Sequence, residues 1–265
     1  MNNKVSSRIL YRSGLCAVVN KLSGEAVEGA PKGMEDLPRM LADDLGANGR
    51  EPGRLALPAA VQRLDVPVTG CALFALTRPA LSFLNAAFSR AAVFVDENGR
   101  AAEAPVPAVE KHYWAVVEKP LGEAPFSEYG ELRHWLYFDS SKNKSAACDA
   151  PGPGRKIAVL KYRLVGKGTN YLFFDIELIT GRHHQIRSQL ARLGLHIKGD
   201  LKYGARRSEK EGGIRLHARS LSFPDPSGSG ERITVTAEPP LRDNLWLAFA
   251  EAYRANTSAA GDAEI

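Results

Sequence analysis

Residues 61–77, VQRLDVPVTGCALFALT, constrain the fold more than any other stretch of the chain. Cys71 to Leu76 is an unbroken apolar run of strand length directly after Gly70. It reads as a buried strand, with a short helix the other element such a run can form. Arg63 and Asp65, two residues apart, precede it in a segment that also carries Pro67 and Gly70. Asp65 is therefore expected just ahead of a buried strand, close to the core and beside a permanently charged guanidinium. An R-x-D pair alone fits a structural loop ion pair as well as a reactive carboxylate, because both perturb a titrating group. The rest of the chain has to separate the two.

Strands outnumber helices along that rest, and they come in hairpins. Ile9 to Tyr11 and Leu15 to Lys21 read as strands around Ser13-Gly14, and Lys111 to Lys119 alternates as a strand does. Ile157 to Val165 and Tyr171 to Ile179 flank GKGTN as an antiparallel hairpin, and Arg215 to Phe223 with Arg232 to Ala237 form another around PDPSGSG. Helical spacing appears over Met34 to Leu45 (Leu37, Met40, Leu41, Leu45), with Gly46 as the stop. Pro79 suits the first turn of a second helix that buries Leu81, Leu84 and Phe88. Thr180-Gly181 turns into a third over about His183 to Leu193, capped by Gly194. A closing helix over Asp243 to Arg254 buries Leu245, Phe249 and Tyr253. Residues 24–33, 46–58, 98–107 and 140–155 read as loops, and the tail from Ala255 as disordered. The class is α+β with a largely antiparallel sheet flanked by helices, in a single domain over residues 1–254.

Composition bounds the function class. A chain of 265 residues, 44% hydrophobic and 25% charged, suits one large domain. The net charge of +5 permits a polyanionic partner without requiring one. Cys16, Cys71 and Cys148 are odd in number and in no metal-ligand spacing, which fits a reducing compartment. The N-terminal MNNKVSSRIL lacks the apolar stretch of a signal peptide, and no segment has the length of a membrane span. The expectation is a cytoplasmic protein, monomeric by default.

Polar groups fall where the pattern predicts core or strand ends in Arg63-Leu64-Asp65, Lys111-His112-Tyr113, ITGRHHQIR (179–187) and KGDLKYG (198–204). His183 and His184 are adjacent and diverge on a helix, whereas a metal pair wants i, i+4 spacing. A capping or hydrogen-bonding role is the simpler reading. No Ser or Cys sits in an elbow-type turn, and GKGTN lies between strands rather than before a helix, so neither a nucleophile elbow nor a phosphate loop is present. What remains is one carboxylate, arginines and a tyrosine, with no cofactor motif.

These residues resemble the RluA-type pseudouridine synthases, which isomerise uridine in folded RNA. The family pattern H-R-L-D-x-x-T-S-G before an apolar strand is met by Gln62-Arg63-Leu64-Asp65 and Thr69-Gly70. The pattern K-x-Y is met by Lys111 and Tyr113, and T-G-R-x-H-Q-I-R at every fixed position from Thr180 to Arg187. Gly199, Asp200, Tyr203 and Gly204 meet G-D-x-x-Y-G. The departures are Gln62 in place of the usual His and VPVTG in place of x-x-T-S-G. No S4-type RNA-binding domain is recognisable before Arg8.

The resemblance implies a pseudouridine synthase fold with a central catalytic cleft. It makes Asp65 the ionised carboxylate that starts the reaction, Arg187 its charged partner and Tyr113 the ring against the target uracil. It extends the substrate-contacting set to Arg63, Leu64, Thr69, Arg182, His184, Gln185 and Ile186. Separately, Lys21, Arg182, Lys198 and Lys202 are candidate phosphate contacts, with a solvated surface charge an equally good reading for each. It implies no cofactor and no metal, and ribosomal or transfer RNA as the partner. Two other readings compete: a binding module that keeps the fold without turnover, and an N-glycosylase acting on a flipped base. The first would tolerate loss of Asp65, and the second needs a general base for which no second carboxylate motif stands out.

Overall fold

The computed structural model describes residues 4–30, 36–46, 54–93, 109–120, 122 and 126–261. In chain order the first strands are β1 (Ile9–Arg12), β2 (Cys16–Lys21), β3 (Arg54–Ala60), β4 (Thr69–Thr77), β5 (Glu110–Glu118) and β6 (Tyr129–Asp139). They are followed by β7 (Lys144–Cys148), β8 (Arg155–Lys167), β9 (Tyr171–Leu178), β10 (Leu216–Pro224) and β11 (Arg232–Thr236). The helices are α1 (Leu37–Asp44), α2 (Arg78–Val93), α3 (Gln185–Arg192) and α4 (Asn244–Gly261). The class is α+β. Contacts divide the chain into two compact units, Met1–Lys111 with Ala218–Pro240 and His112–His217 with Leu241–Ile265. Each unit has a hydrophobic core of its own.

In the first unit the strand order is β1-β2-β4-β10, with β3 on β4 and β11 on β10. Gly70 to Leu76 are all buried, so the apolar run Cys71 to Leu76 is a strand with both faces covered. β2 pairs with it antiparallel, from Lys21 opposite Gly70 to Cys16 opposite Ala75. Alternate residues of the two strands, Cys16, Val18, Cys71, Leu73 and Ala75, share one cluster with Ala80 and Leu84 of α2 and with Leu221 and Phe223 of β10. Each fully buried large side chain contributes about 1.5–3 kcal/mol, so this layer fixes β4 and whatever is attached to its ends. Pro79 sits in the first turn of α2, as its sequence position predicts, and the Ala80 N–H donates to Thr77 Oγ1 at 3.3 Å. β3 corrects the loop expected over 46–58. It pairs with β4 at Ala59–Ala75 and Ala60–Phe74 with a register shift, and carries Pro58, which has no N–H for a ladder. The expected loop over residues 98–107 lies outside the described residues.

In the second unit the order is β5-β9-β8-β6-β7, each neighbour antiparallel. The β8–β9 hairpin falls where the sequence places it. β7 does not: the stretch 140–155, read as loop, contains a strand. Asp139 Oδ1 accepts the N–H and O–H of Ser141 and the N–H of Lys142, and Asn143 takes φ 45°, which turns β6 back into β7. Polar turn residues on both sides conceal a five-residue strand. Trp114 and Val116 of β5 and Phe173 of β9 pack with Trp246 and Phe249 of α4, with Trp114 stacked on Phe249 at 4.6 Å. Asp243 caps that helix, accepting the Trp246 N–H at 3.1 Å. α4 then runs on to Gly261, through residues assigned to a disordered tail. Thr257 Oγ1 donates to the carbonyls of Tyr253 and Arg254, and the alanines around it favour helix.

Candidate active site

Asp65 lies half-buried on the turn between β3 and β4 in the first unit, where its carbonyl accepts the Val68 N–H at 3.0 Å. The turn is fixed from beneath by Lys21. This residue ends β2 opposite Gly70 and is 0% exposed. Its ammonium donates to the carbonyls of Leu22, Val66 and Val68 at 2.9, 2.9 and 2.7 Å. An ammonium has three donors, so Lys21 is saturated by backbone, two of its acceptors being the carbonyls of Val66 and Val68 just after Asp65. Burial pushes it down to about 8, opposed by the Glu25 and Asp65 carboxylates. Glu25 is held in turn by Arg8 at 2.6 and 3.0 Å and accepts the Leu22 N–H at 2.7 Å. The phosphate role that the sequence suggests for Lys21 is therefore corrected: its charge is enclosed.

Three neighbours complete the turn. Gln62, where the family pattern usually has His, donates from Nε2 to the Cys71 carbonyl at 2.8 Å and so ties the turn to β4. Leu64 is buried, Thr69 half-buried, and Arg63 exposed. Gly70 takes φ 111°, and a Cβ there would run into the backbone of Ala218 on β10. Only glycine lets that strand close in beside the turn.

Arg182, His184, Gln185, Ile186 and Arg187 come together in the second unit, at the turn from β9 into α3. The motif is knotted by its own side chains. Gln185 Oε1 accepts from Thr180 Oγ1 at 2.7 Å and from the Arg182 N–H at 3.0 Å, while its Nε2 donates to the Val159 carbonyl at 3.0 Å. Arg182 Nε donates to the Ile157 carbonyl at 3.1 Å. Gln185 and Ile186 are buried, and their neighbour His184 takes the left-handed φ of 50° at the start of α3. Its imidazole meets the Tyr203 hydroxyl at 2.9 Å and stacks on His183 at 3.7 Å. Burial, with the charge of Arg187 next, holds it down to about 2, so it is neutral throughout the physiological range. Of the capping or hydrogen-bonding role expected for the histidine pair, the structure shows the second: His184 occupies the N-cap position but its side chain makes no cap bond, and His183 Nδ1 meets Ser145 Oγ at 3.0 Å.

Arg187 is 5% exposed and forms a bidentate pair with Asp200, Nε to Oδ2 at 2.6 Å and Nη2 to Oδ1 at 2.8 Å. Tyr203 presents its ring to the same guanidinium, 4.9 Å from the centroid. Tyr113, on β5 opposite Ile176, is 6% exposed and belongs to the same unit. Asp200 and Tyr203 thus join Arg187, two residues to which the motif KGDLKYG by itself assigns no role. The pattern marks the residues but not the 13-residue return that sets Asp200 on Arg187. The other candidate phosphate contacts also have protein partners: Lys198 pairs with Glu209, and Lys202 Nζ donates to the Asn143 carbonyl at 3.1 Å.

A family model described as RNA pseudouridylate synthase matches residues 16–192. The chain belongs to that family. The family's chemistry makes it an isomerase acting on RNA, and the motif residues set out above lie within or just beyond the matched span. It is 30% identical over 202 residues to tRNA pseudouridine synthase C of Haemophilus ducreyi, covering 70% of this chain and 73% of the relative. It is 27% identical over 241 residues to ribosomal large subunit pseudouridine synthase D of Zymomonas mobilis, covering 88% and 69%. Among solved structures, human RNA pseudouridylate synthase domain containing 4 aligns with a TM-score of 0.66 at 20% identity over 94% of both chains. At that identity the likeness speaks for the fold.

Proposed function

We propose that the protein, acting as a cytoplasmic monomer, isomerises one or more uridines in structured ribosomal or transfer RNA, with Asp65 as the carboxylate that starts the reaction. The C1′–N1 bond breaks, the uracil turns, and C1′–C5 forms. C5 loses a proton and N1 regains one, so no donor or redox partner enters. The observation that carries the reading is the Asp65 turn: a half-buried carboxylate followed by two carbonyls, of Val66 and Val68, that a fully buried ammonium grips. A reactive carboxylate has to be ionised and held in one orientation, and a nearby cation favours the ionised form. Tyr113 serves as the face on which the target uracil rests, and Arg187 as the permanent positive charge that the chemistry calls on.

A base inside a stem must leave the stack to react, at a cost of a few kcal/mol. Arg63, exposed two residues before Asp65, is positioned in sequence to fill the space the base vacates. Arg63→Ala is expected to slow modification of a folded RNA more than that of a minimal single-stranded target, and equal losses on both would remove it from that role.

The reading is tested by incubating the purified protein with ribosomal and transfer RNA from cells that lack the gene. The RNA is then digested and its nucleosides separated. Pseudouridine in an otherwise intact strand is the expected product. An abasic site would replace this reading by a glycosylase, and bound but unaltered RNA by a binding module.

A further inference from the structure

We propose that Tyr203 is a positioning residue for Arg187: its ring fixes the plane of the guanidinium that Asp200 holds by the edge. The inference rests on the reading of Arg187 as part of the reaction. Asp200 and Tyr203 arrive together, because both belong to one tight turn in which the Tyr203 N–H donates to the Asp200 carbonyl at 3.0 Å. That turn offers Arg187 two different surfaces. The carboxylate takes Nε and Nη2, and the ring takes the guanidinium carbon at 4.9 Å from its centroid.

An arginine this deeply buried cannot shed its charge. A bidentate pair satisfies the edge of the guanidinium but leaves its flat face in a medium of low polarity. The negative face of an aromatic ring offsets that, and does so more strongly where water is excluded. The ring is set in place first by burial, which Phe would share, and the hydroxyl adds a tie at its far end. Tyr203 is 5% exposed. The hydroxyl accepts the Ser145 N–H at 2.9 Å, donates to the Ser145 carbonyl at 3.1 Å, and meets His184 Nδ1 at 2.9 Å. A hydroxyl has one proton to give. With that proton on the Ser145 carbonyl, His184 is the donor in its own contact, which suits an imidazole kept neutral. Ser145 is on β7, and the preceding Lys144 sets its ammonium 4.9 Å from the same ring centroid. The ring thus stands on the backbone of the β6–β7 hairpin and reaches Arg187 from there.

The test is single-turnover modification at saturating RNA by the full chain, with RNA affinity and thermal unfolding measured on the same samples. Tyr203→Met keeps apolar bulk and removes the π face; Tyr203→Phe keeps the face and removes the hydroxyl. The rate constant is expected to fall by about tenfold or more in Tyr203→Met with RNA affinity nearly unchanged, and to be largely restored in Tyr203→Phe. A Tyr203→Phe variant as slow as Tyr203→Met would overturn the role given to the ring. So would a folded Tyr203→Met at full rate while Arg187→Ala is slow, with the reading of Arg187 left standing. Arg187→Ala at full rate would instead overturn that reading, and this inference with it. Should Tyr203→Met not fold, pentafluorophenylalanine at position 203 replaces it, since its shape is that of Phe with the polarity of the face reversed. A rate below that of Tyr203→Phe is then expected, and an equal rate would overturn the proposal.

Discussion

His184 carries two burdens at once, a left-handed backbone and a buried imidazole that stays neutral. Its ring is held down to about 2, so the folded protein takes up no proton there in weak acid. The unfolded chain does, once the pH drops below the ordinary histidine value. Folding stability contributed at this site is therefore present above about pH 6.5 and is lost as the pH falls, by up to about 1.4 kcal/mol per unit. Between pH 6.5 and 5 the native protein is expected to lose about 1.5 kcal/mol more than His184→Asn in urea unfolding, Asn being a residue that tolerates the left-handed region. Equal acid sensitivity in the two would contradict the assignment. Lys21 gives the complementary case. Lys21→Met strands three carbonyls around the Asp65 turn and is expected to cost about 3 kcal/mol of stability; a loss within experimental error would mean the turn is held by other means. The sequence showed a lysine at the end of an apolar strand and suggested a surface charge. Depth is set by β4 passing opposite and by the reversal at Leu22-Ser23-Gly24, neither of which is visible in the local pattern.

At the scale of elements, what could be read in advance followed from periodicity and what could not followed from pairing. The apolar run of β4, the Pro79 helix start, the β8–β9 and β10–β11 hairpins and the turn into α3 all declare themselves through spacing and punctuation. β3 was hidden by its proline and alanines, since its strand character comes from lying along β4. β7 was hidden because its neighbours Ser140 to Asn143 and Asp149 to Gly154 look like loop, while β6 supplies its partners, from Asp139 opposite Lys144 to Trp135 opposite Cys148. The same distinction applies to the candidate site. The motifs are local and legible, but the Arg187–Asp200 pair and the Tyr203–Ser145 tie are made across 13 and 58 residues. Gly70 is where an element-level contact is most exposed to test. Gly70→Ala combines a positive φ with a Cβ aimed at the Ala218 backbone. It is expected to lower stability by at least about 2 kcal/mol, measured by chemical denaturation. A neutral substitution would show that β10 does not need that approach.

For the molecule as a whole, 35 basic against 30 acidic side chains is a small surplus for an enzyme that works on a polyanion. Several of the cations are also committed internally, among them Arg8 to Glu25, Arg187 to Asp200 and Lys21 to backbone. Attraction to RNA is then expected from exposed residues such as Lys142, whose side chain is 75% exposed and whose 3.7 Å pair with Asp139 lies at the surface. Binding is expected to weaken with salt, and a cation that meets a phosphate contributes about 0.7 to the log–log slope on single-stranded RNA. Replacing such a residue should flatten the slope by about that amount, whereas Lys21→Met should leave it unchanged.

The central claim is that this family member turns over and that Asp65 is where the reaction starts. Its most direct test is release of tritium from RNA labelled at uridine C5, comparing the native protein with Asp65→Asn under the same conditions. Release by the native protein is expected, matched by the pseudouridine formed, and none by Asp65→Asn although it folds and binds the RNA. Release by Asp65→Asn at the native rate would contradict that claim.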